Sequence, residues 1–286
     1  MGFQRVSDPL ARGLGASSPQ SQPPINKHTT KERGAVTELT DAKTKLRRTL
    51  TAWGVLLLLG ILLAILFAKG VLWFNMPSKK KYPVRGVDAS HYQGQINWET
   101  IAEQGITFAF LKATEGSGTV DDCFAENWAN ARAAGLYVGA YHFFSFDSSA
   151  STQADNYCST VPDVADALPP VIDLEFYRSD NLPSADAVRE SLRILVNRMQ
   201  NAYGKTPIIY TTKACWETYL KDADFAYTLW IRSIFTSPSN NFTPDWTFWQ
   251  YNPRGMLDGY EGGEVLIDLN VFRGTMEEFR AFAAGE

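Results

Sequence analysis

Two carboxylates two residues apart, Asp173 and Glu175, sit at the end of the apolar run Pro-Pro-Val-Ile. On an extended strand that spacing puts both side chains on one face. Hydrophobic packing has no use for two neighbouring acids there, but acid–base chemistry does. Crowded like charges raise one pKa, which gives a proton donor beside an ionised partner. Glycoside hydrolysis uses that division: one group protonates the leaving oxygen while another stabilises the cationic sugar or activates its attacker. The expectation is Glu175 as donor, with Asp173 kept ionised. Taken alone, an Asp-x-Glu serves equally well as a solvated strand end or an ion-pair site. Two more acids at strand ends, Asp88 and Asp268, make a catalytic cluster the better account. Ionised carboxylates are rarely buried unless paired, and few basic residues lie near these four in sequence.

The elements that must position these acids begin at Val84. Short β-branched or aromatic runs occur at 84–90, 106–114, 136–144, 169–177, 206–212, 227–233, 246–251 and 264–272, eight candidate strands. Helical segments follow each of the first five. The fourth is the clearest, with Ser184 as cap and Val188, Leu192, Leu195, Val196 and Met199 on one stripe. After the sixth strand the helical pattern stops. This order predicts an α/β fold: a trimmed (β/α)8-type barrel, five βα units followed by three strands. A doubly wound open sheet is the competing arrangement, disfavoured because no Gly-rich phosphate turn follows the first strand. In a parallel barrel, chemistry gathers at the C-terminal strand ends. Asp88 is expected to end strand one, Asp173 and Glu175 strand four, and Asp268 strand eight.

The 286 residues divide unevenly in charge. Residues 1–83 carry 13 Lys/Arg against 4 Asp/Glu, and residues 84–286 carry 14 against 27. An acidic C-terminal domain excludes nucleic acid as its partner, since phosphate binding needs the opposite sign. Residues 1–48 read as a disordered basic tail. Thr49 to Ala68 is an uncharged apolar run of the length a helix needs to cross a bilayer. Trp53, Trp73 and Phe74 suit the interfacial aromatic belts, so a single transmembrane helix is assigned to 49–74. A basic linker, 75–83, then leads to the domain at 84–286. The 48-residue leader and the lack of an A-x-A site argue against a cleaved signal peptide. Lys43, Lys45, Arg47 and Arg48 nearly balance Lys79, Lys80 and Lys81 across the helix, so charge alone does not orient it.

Cys123, Cys158 and Cys215 permit at most one disulfide. With His28, His91 and His142 the only histidines and no Cys/His cluster, neither a metal site nor a cofactor is expected. A hydrogen-bonded structural role suits His142. Asn241-Phe-Thr243 is a glycosylation sequon, relevant only in a eukaryotic secretory pathway.

The segments GVDASHYQGQINW, FAFLKATEG, GAYHFF, PPVIDLE, PIIYTT, LWI, WQY and IDLNVF occur in that order. The series resembles the motifs of the glycoside hydrolase family 25 muramidases, over residue 84 to about residue 280. The resemblance implies hydrolysis of the β-1,4 bond between N-acetylmuramic acid and N-acetylglucosamine in the glycan strands of peptidoglycan. It also implies Glu175 as general acid, with Asp173 beside it orienting the substrate's acetamido group, and Asp88 and Asp268 as the remaining acids. That substrate lies beyond the cytoplasmic membrane. The protein is therefore expected to be single-pass, held by membrane lipid around its anchor, with its catalytic domain extracytoplasmic.

Aromatic residues make up 13% of the chain, and flat rings with a polar tip suit stacking on sugars. For most of them core filling is the better account. Tyr141, Tyr210 and Trp230 are assigned to substrate binding because they fall in the motifs, together with Gln250. Two other functions compete: a non-catalytic wall-glycan-binding protein, and an endo-N-acetylhexosaminidase of different specificity. The intact acid set disfavours the first, and the single Asp-Leu-Glu, without a longer run of spaced aspartates, disfavours the second.

Overall fold

The computed structural model describes residues 27–178, 180–241 and 245–285, so the sequon and residues 1–26 lie outside the described residues in whole or part. Two compact units follow one another along the chain, the first ending at Ile61 and the second running Leu62–Glu286.

Helix α1 spans Lys27–Ala68. Its portion Lys31–Ala68 contains an 18-residue window of mean hydropathy 2.6, long and apolar enough to cross a membrane. The expected disordered tail is therefore helical over residues 27–48. That stretch has one glycine and no proline, and it is rich in Lys, Arg, Glu and Ala, which suit a helix. A neighbouring apolar helix removes the nucleation cost, so each further residue adds a hydrogen bond cheaply. At the other end the helix stops at Ala68, short of Phe74, where Gly70 takes φ 72°.

The second unit is built on nine strands: β1 (Arg85–Ala89), β2 (Phe108–Glu115), β3 (Thr119–Val120), β4 (Tyr137–Phe143), β5 (Val171–Leu174), β6 (Ile208–Thr212), β7 (Thr228–Arg232), β8 (Phe248–Gly255) and β9 (Ile267–Phe272). Strand β3 only extends β2 as a hairpin. The other eight close into a barrel, because β1 pairs with both β2 and β9. Closure rules out the open sheet. Crossover helices α2 (Trp98–Glu103), α3 (Phe124–Ala133), α4 (Ala150–Thr160), α5 (Ala185–Tyr203) and α6 (Lys213–Cys215, continued by a π-turn) match the five expected segments. Ser184 caps α5, whose expected stripe is buried.

Three features were not expected. Strand β9 runs antiparallel to both neighbours. Beyond the short α7 (Pro238–Asn241), a last helix α8 (Met276–Ala284) starts in a capping box between Thr275 and Glu278. Its Phe279 packs on Phe108 and Phe272, at the barrel end opposite the carboxylates. Finally, the segment assigned as a linker is part of the fold. The outward side chains Leu229, Ile231, Trp249, Tyr251 and Val271 have no crossover helix over them and cluster with Tyr82 and Trp246. The Trp73 indole donates to the carbonyls of Ile234 (3.0 Å) and Tyr251 (2.9 Å), and Asn75 Nδ2 donates to that of Ser233 (3.1 Å). Apolar strand faces need cover, and where helices are missing the chain between α1 and β1 supplies it. Trp73 thus belongs to the barrel rather than to a membrane belt.

Candidate active site

Strand alternation fills the barrel interior in layers. Toward the bottom lie Phe108, Phe110, Phe248 and Phe272. Gly86 and Gly139 make room for them: a Cβ on Gly86 would come within 2.3 Å of the Phe108 ring, and one on Gly139 within 2.7 Å of Phe110. Above them are Tyr210 and Trp230, and at the mouth the acids. Asp88 ends β1, and Asp173 and Glu175 end β5. Asp268 begins its strand instead of ending it. Because β9 runs in reverse, its start lies at the same mouth, and Asp268 stands directly opposite Asp88 across the strand pair. All eight residues singled out by sequence (Asp88, Asp173, Glu175, Asp268, Tyr141, Tyr210, Trp230 and Gln250) line one cleft of about 190 Å³.

A chain of hydrogen bonds fixes Asp88. Tyr210 OH donates to Gln250 Oε1 (2.9 Å), which turns the Gln250 amide nitrogen toward both Asp88 oxygens (3.1 and 3.2 Å). Symmetrically, the Trp230 indole donates to Asn270 Oδ1 (2.9 Å), and Asn270 Nδ2 donates to Asp88 (2.6 Å). Tyr210 and Trp230 are buried. Their polar atoms bond to the two amides that hold Asp88. The ring exposed at the cleft is that of Tyr92. Tyr141 lines the cleft, and burial followed by the surrounding acids pushes its phenol well above the usual range.

The acids are held unequally. Burial raises the Asp88 carboxyl, but the amides of Asn270 and Gln250 pull it back. Asp268 is pushed well up, first by burial and then by Asp88, to which it is hydrogen-bonded. Asp173 is also pushed well up, by burial and then by the charges of Glu175 and Asp88. Its Oδ1 is buried without a hydrogen-bond partner. Glu175, half-buried, is raised chiefly by burial, with Arg232 acting in the opposite direction. These shifts run against the expected ionisation of Asp173, because burial and the charges of Glu175 and Asp88 favour its neutral form. Complete burial between two other acids makes it a stronger proton holder than its half-exposed neighbour.

Sequence reasoning missed three members of the site. Asn270 is two residues beyond Asp268 and shares its face, so strand alternation could have revealed it. Arg232 stands in the same relation to Trp230. Lys112 lies on the inward face of β2 with Phe110 and pairs with Glu115 at 2.7 Å. Of the histidines, His142 is buried and His91 is exposed on the turn after β1. His142 Nε2 donates to Gln153 Oε1 (3.0 Å), and its Nδ1 accepts from Thr114 (2.7 Å). Gln153 Oε1 also accepts from the Ser145 amide, which fixes that orientation, and burial lowers the imidazole pKa to about 4. The structural role expected for His142 fits these contacts. His91 pairs with Asp121 at 2.6 Å. The three cysteines are free.

A closed barrel whose mouth gathers four acids from β1, β5 and β9 is matched over residues 87–260 by a family model, Glycosyl hydrolases family 25. The chain belongs to this family. As a family 25 member it is a glycoside hydrolase of the lysozyme and muramidase kind. Lysozyme M1 of Streptomyces globisporus is 34% identical over 215 residues, covering 70% of this chain and 71% of that protein. The Escherichia coli K12 protein YegX, described as uncharacterized, is 37% identical over 209 residues, covering 71% and 75%. Among solved structures, a family 25 glycosyl hydrolase from Bacillus anthracis superposes with a TM-score of 0.69 at 46% identity, covering 73% of this chain and 97% of its own. The bacterial lysozyme of Streptomyces coelicolor gives 0.62 at 34% identity, covering 70% and 97%.

Proposed function

We propose that the barrel hydrolyses the β-1,4 bond between N-acetylmuramic acid and N-acetylglucosamine in peptidoglycan, with Glu175 as general acid and Asp173 assisting. The observation that carries this reading is the contrast between the two carboxyls. Glu175 reaches the open cleft with a raised pKa, which suits a group that must hold a proton near neutrality and release it to a glycosidic oxygen. Asp173 is buried with an unpartnered oxygen, the kind of atom that gains most from a new donor. The N–H of a 2-acetamido group is such a donor. Its hydrogen bond favours the ionised form of Asp173, so the shared proton passes to Glu175, where departure of the leaving sugar needs it. The acetamido carbonyl is then oriented to attack the anomeric carbon as that bond breaks; water next attacks the same carbon, its oxygen displacing the acetamido oxygen and its proton passing to Glu175. Asp88, whose two amide donors favour its ionised form, stands opposite Asp268 at the mouth, beside the place the cationic sugar would take.

The full chain and its Glu175→Gln variant should be compared for clearing of purified peptidoglycan, with mass spectrometry of the products. Muramic acid at the new reducing ends, lost with the variant, is the expected outcome. N-acetylglucosamine at those ends would make the enzyme a different N-acetylhexosaminidase, and binding without cleavage would make the barrel a glycan-binding module.

We further propose that α1 anchors the chain in the cytoplasmic membrane in a single pass with the barrel outside, since the substrate exists only there. A reporter fused after Glu286 should give an extracytoplasmic signal, and a cytoplasmic signal would overturn the topology.

A further inference from the structure

Large apolar side chains exposed on the second unit beyond the helix gather in one region. Val71, Phe74 and Met76 follow α1 directly, Phe235 follows β7, and Met256 and Val265 flank the β8–β9 connection, each more than half exposed. The structure links these segments. The Phe74 and Phe235 rings lie 6.0 Å apart. Arg254 donates to the carbonyl of Ala68, the last residue of α1. Gly70 is so close to the β8–β9 hairpin that a Cβ there would meet the Arg254 carbonyl at 2.2 Å and Leu266 at 3.1 Å. Contiguous exposed apolar surface marks an interaction site. Exposed lysines border it in sequence, Lys69 on one side and Lys79 to Lys81 on the other.

We propose that this patch is a bilayer-docking surface, through which the barrel sits in the headgroup–acyl boundary of the membrane that α1 crosses. The inference rests on the anchor reading above. Chain continuity decides the occupant. Val71 is three residues beyond the end of the helix, and Trp73 is tied to β7 and β8 by two hydrogen bonds. The chain between α1 and β1 is therefore packed on the barrel surface and is not a loose tether. Whatever surface surrounds the emerging chain must meet a bilayer, and here that surface is apolar with a basic border. Apolar groups enter the boundary by about 5–10 Å, and nearby lysines favour anionic headgroups. Ser233–Phe235 and the β8–β9 connection both lie at the mouth end of the barrel. Docking therefore turns the rim on the β7–β9 side toward the lipid, and the cleft opens alongside the membrane surface, where it would take glycan running close to the bilayer.

The test uses the full chain in vesicles of phosphatidylethanolamine and phosphatidylglycerol, with p-benzoylphenylalanine replacing single residues and lipid adducts read by mass spectrometry. The variants are Phe235→p-benzoylphenylalanine and Val265→p-benzoylphenylalanine in the patch. Val120 and Leu182, exposed on the β2–β5 side, serve as barrel controls, and Leu59 reports on α1. Met256 is a third patch position should either patch variant lose peptidoglycan-cleaving activity and so report misfolding. Adducts at 59, 235 and 265 that exceed those at 120 and 182 several-fold are expected. Adducts at 59 with 235 and 265 no higher than the controls overturn the docking surface and leave the anchor intact. A failure at 59 overturns both.

Discussion

The two ends of the barrel are built on opposite principles. At the bottom, α8 closes the opening with Phe279 packed ring on ring against Phe108 and Phe272. At the mouth, four acids share a cleft, and the buried one, Asp173, carries an oxygen with no partner. Buried apolar area stabilises, whereas a buried acid without a donor costs stability. The bottom therefore holds the fold together against a mouth that weakens it, and the weakness is where the chemistry is. Substitutions at the two ends should separate activity from stability cleanly.

The largest effect is expected at Glu175. Glu175→Gln should lower turnover by about 10²–10⁴-fold, the usual contribution of a general acid, with its thermal midpoint near that of the parent. An unfolded variant, or one with near-normal turnover, would break the contrast at its sharpest point. Phe279→Ala should do the reverse. Loss of a fully buried phenylalanine costs about 3–5 kcal/mol, read by denaturant titration, while activity per folded molecule stays the same. A smaller effect combines both properties. Asp173→Asn should lower kcat more than it raises KM, yet raise the midpoint at neutral pH by about 2–4 °C, the shift that 1 kcal/mol gives a domain of this size. The raised pKa sets its pH dependence. Below the ordinary carboxylate range, about pH 4, Asp173 is neutral in both folded and unfolded chains and the variant gains nothing. As pH rises through the elevated folded value, the unfolded chain loses its proton first, so the wild type loses stability and the gain appears. A midpoint difference that is flat with pH would mean that Asp173 is not a strained acid. The smallest effect is expected from Tyr210→Phe, which leaves Gln250 Oε1 without its donor. It should cost about 0.5–1.5 kcal/mol and shift the pH profile of kcat through Asp88, a change that simple loosening of the core would not produce.

The same contrast governs what could be read from the sequence. The acids at the mouth were legible because Asp173 and Glu175 interrupt an apolar strand, and because Asp88 and Asp268 repeat that placement. The reversal of β9 was not, since a two-residue period is the same in either direction and only the pairing with β1 reveals it. Asn270 was within reach of that period and was passed over as an ordinary polar residue. Tyr210 and Trp230 were singled out for their place in the motifs, and the sequence did not show that one O–H and one N–H of theirs bond to amides on strands distant in sequence. Helix α8 had a local signal in Thr275 and Glu278, but it stood beyond the last strand where no helix was sought. The helix over residues 27–48 and the packing of Trp73 both depend on neighbours, an established helix in one case and bare strand faces in the other.

The reversed last strand also has a consequence in time. Asp88 is among the first barrel residues synthesised, and Asn270, which orients it, follows 182 residues later. The contact is about as non-local as the chain permits, and such pairings form late because the intervening loop must be closed first. The growing polypeptide therefore carries an acid without its amide, and a barrel without its closing strand, until β9 has been made. A chain halted before Ile267 should be soluble at best as an open, protease-sensitive intermediate with no lytic activity. Adding back residues 267–285 as a separate peptide should restore clearing if closure by β9 is the step that completes the enzyme, and failure to restore it would show that the strand must arrive covalently attached.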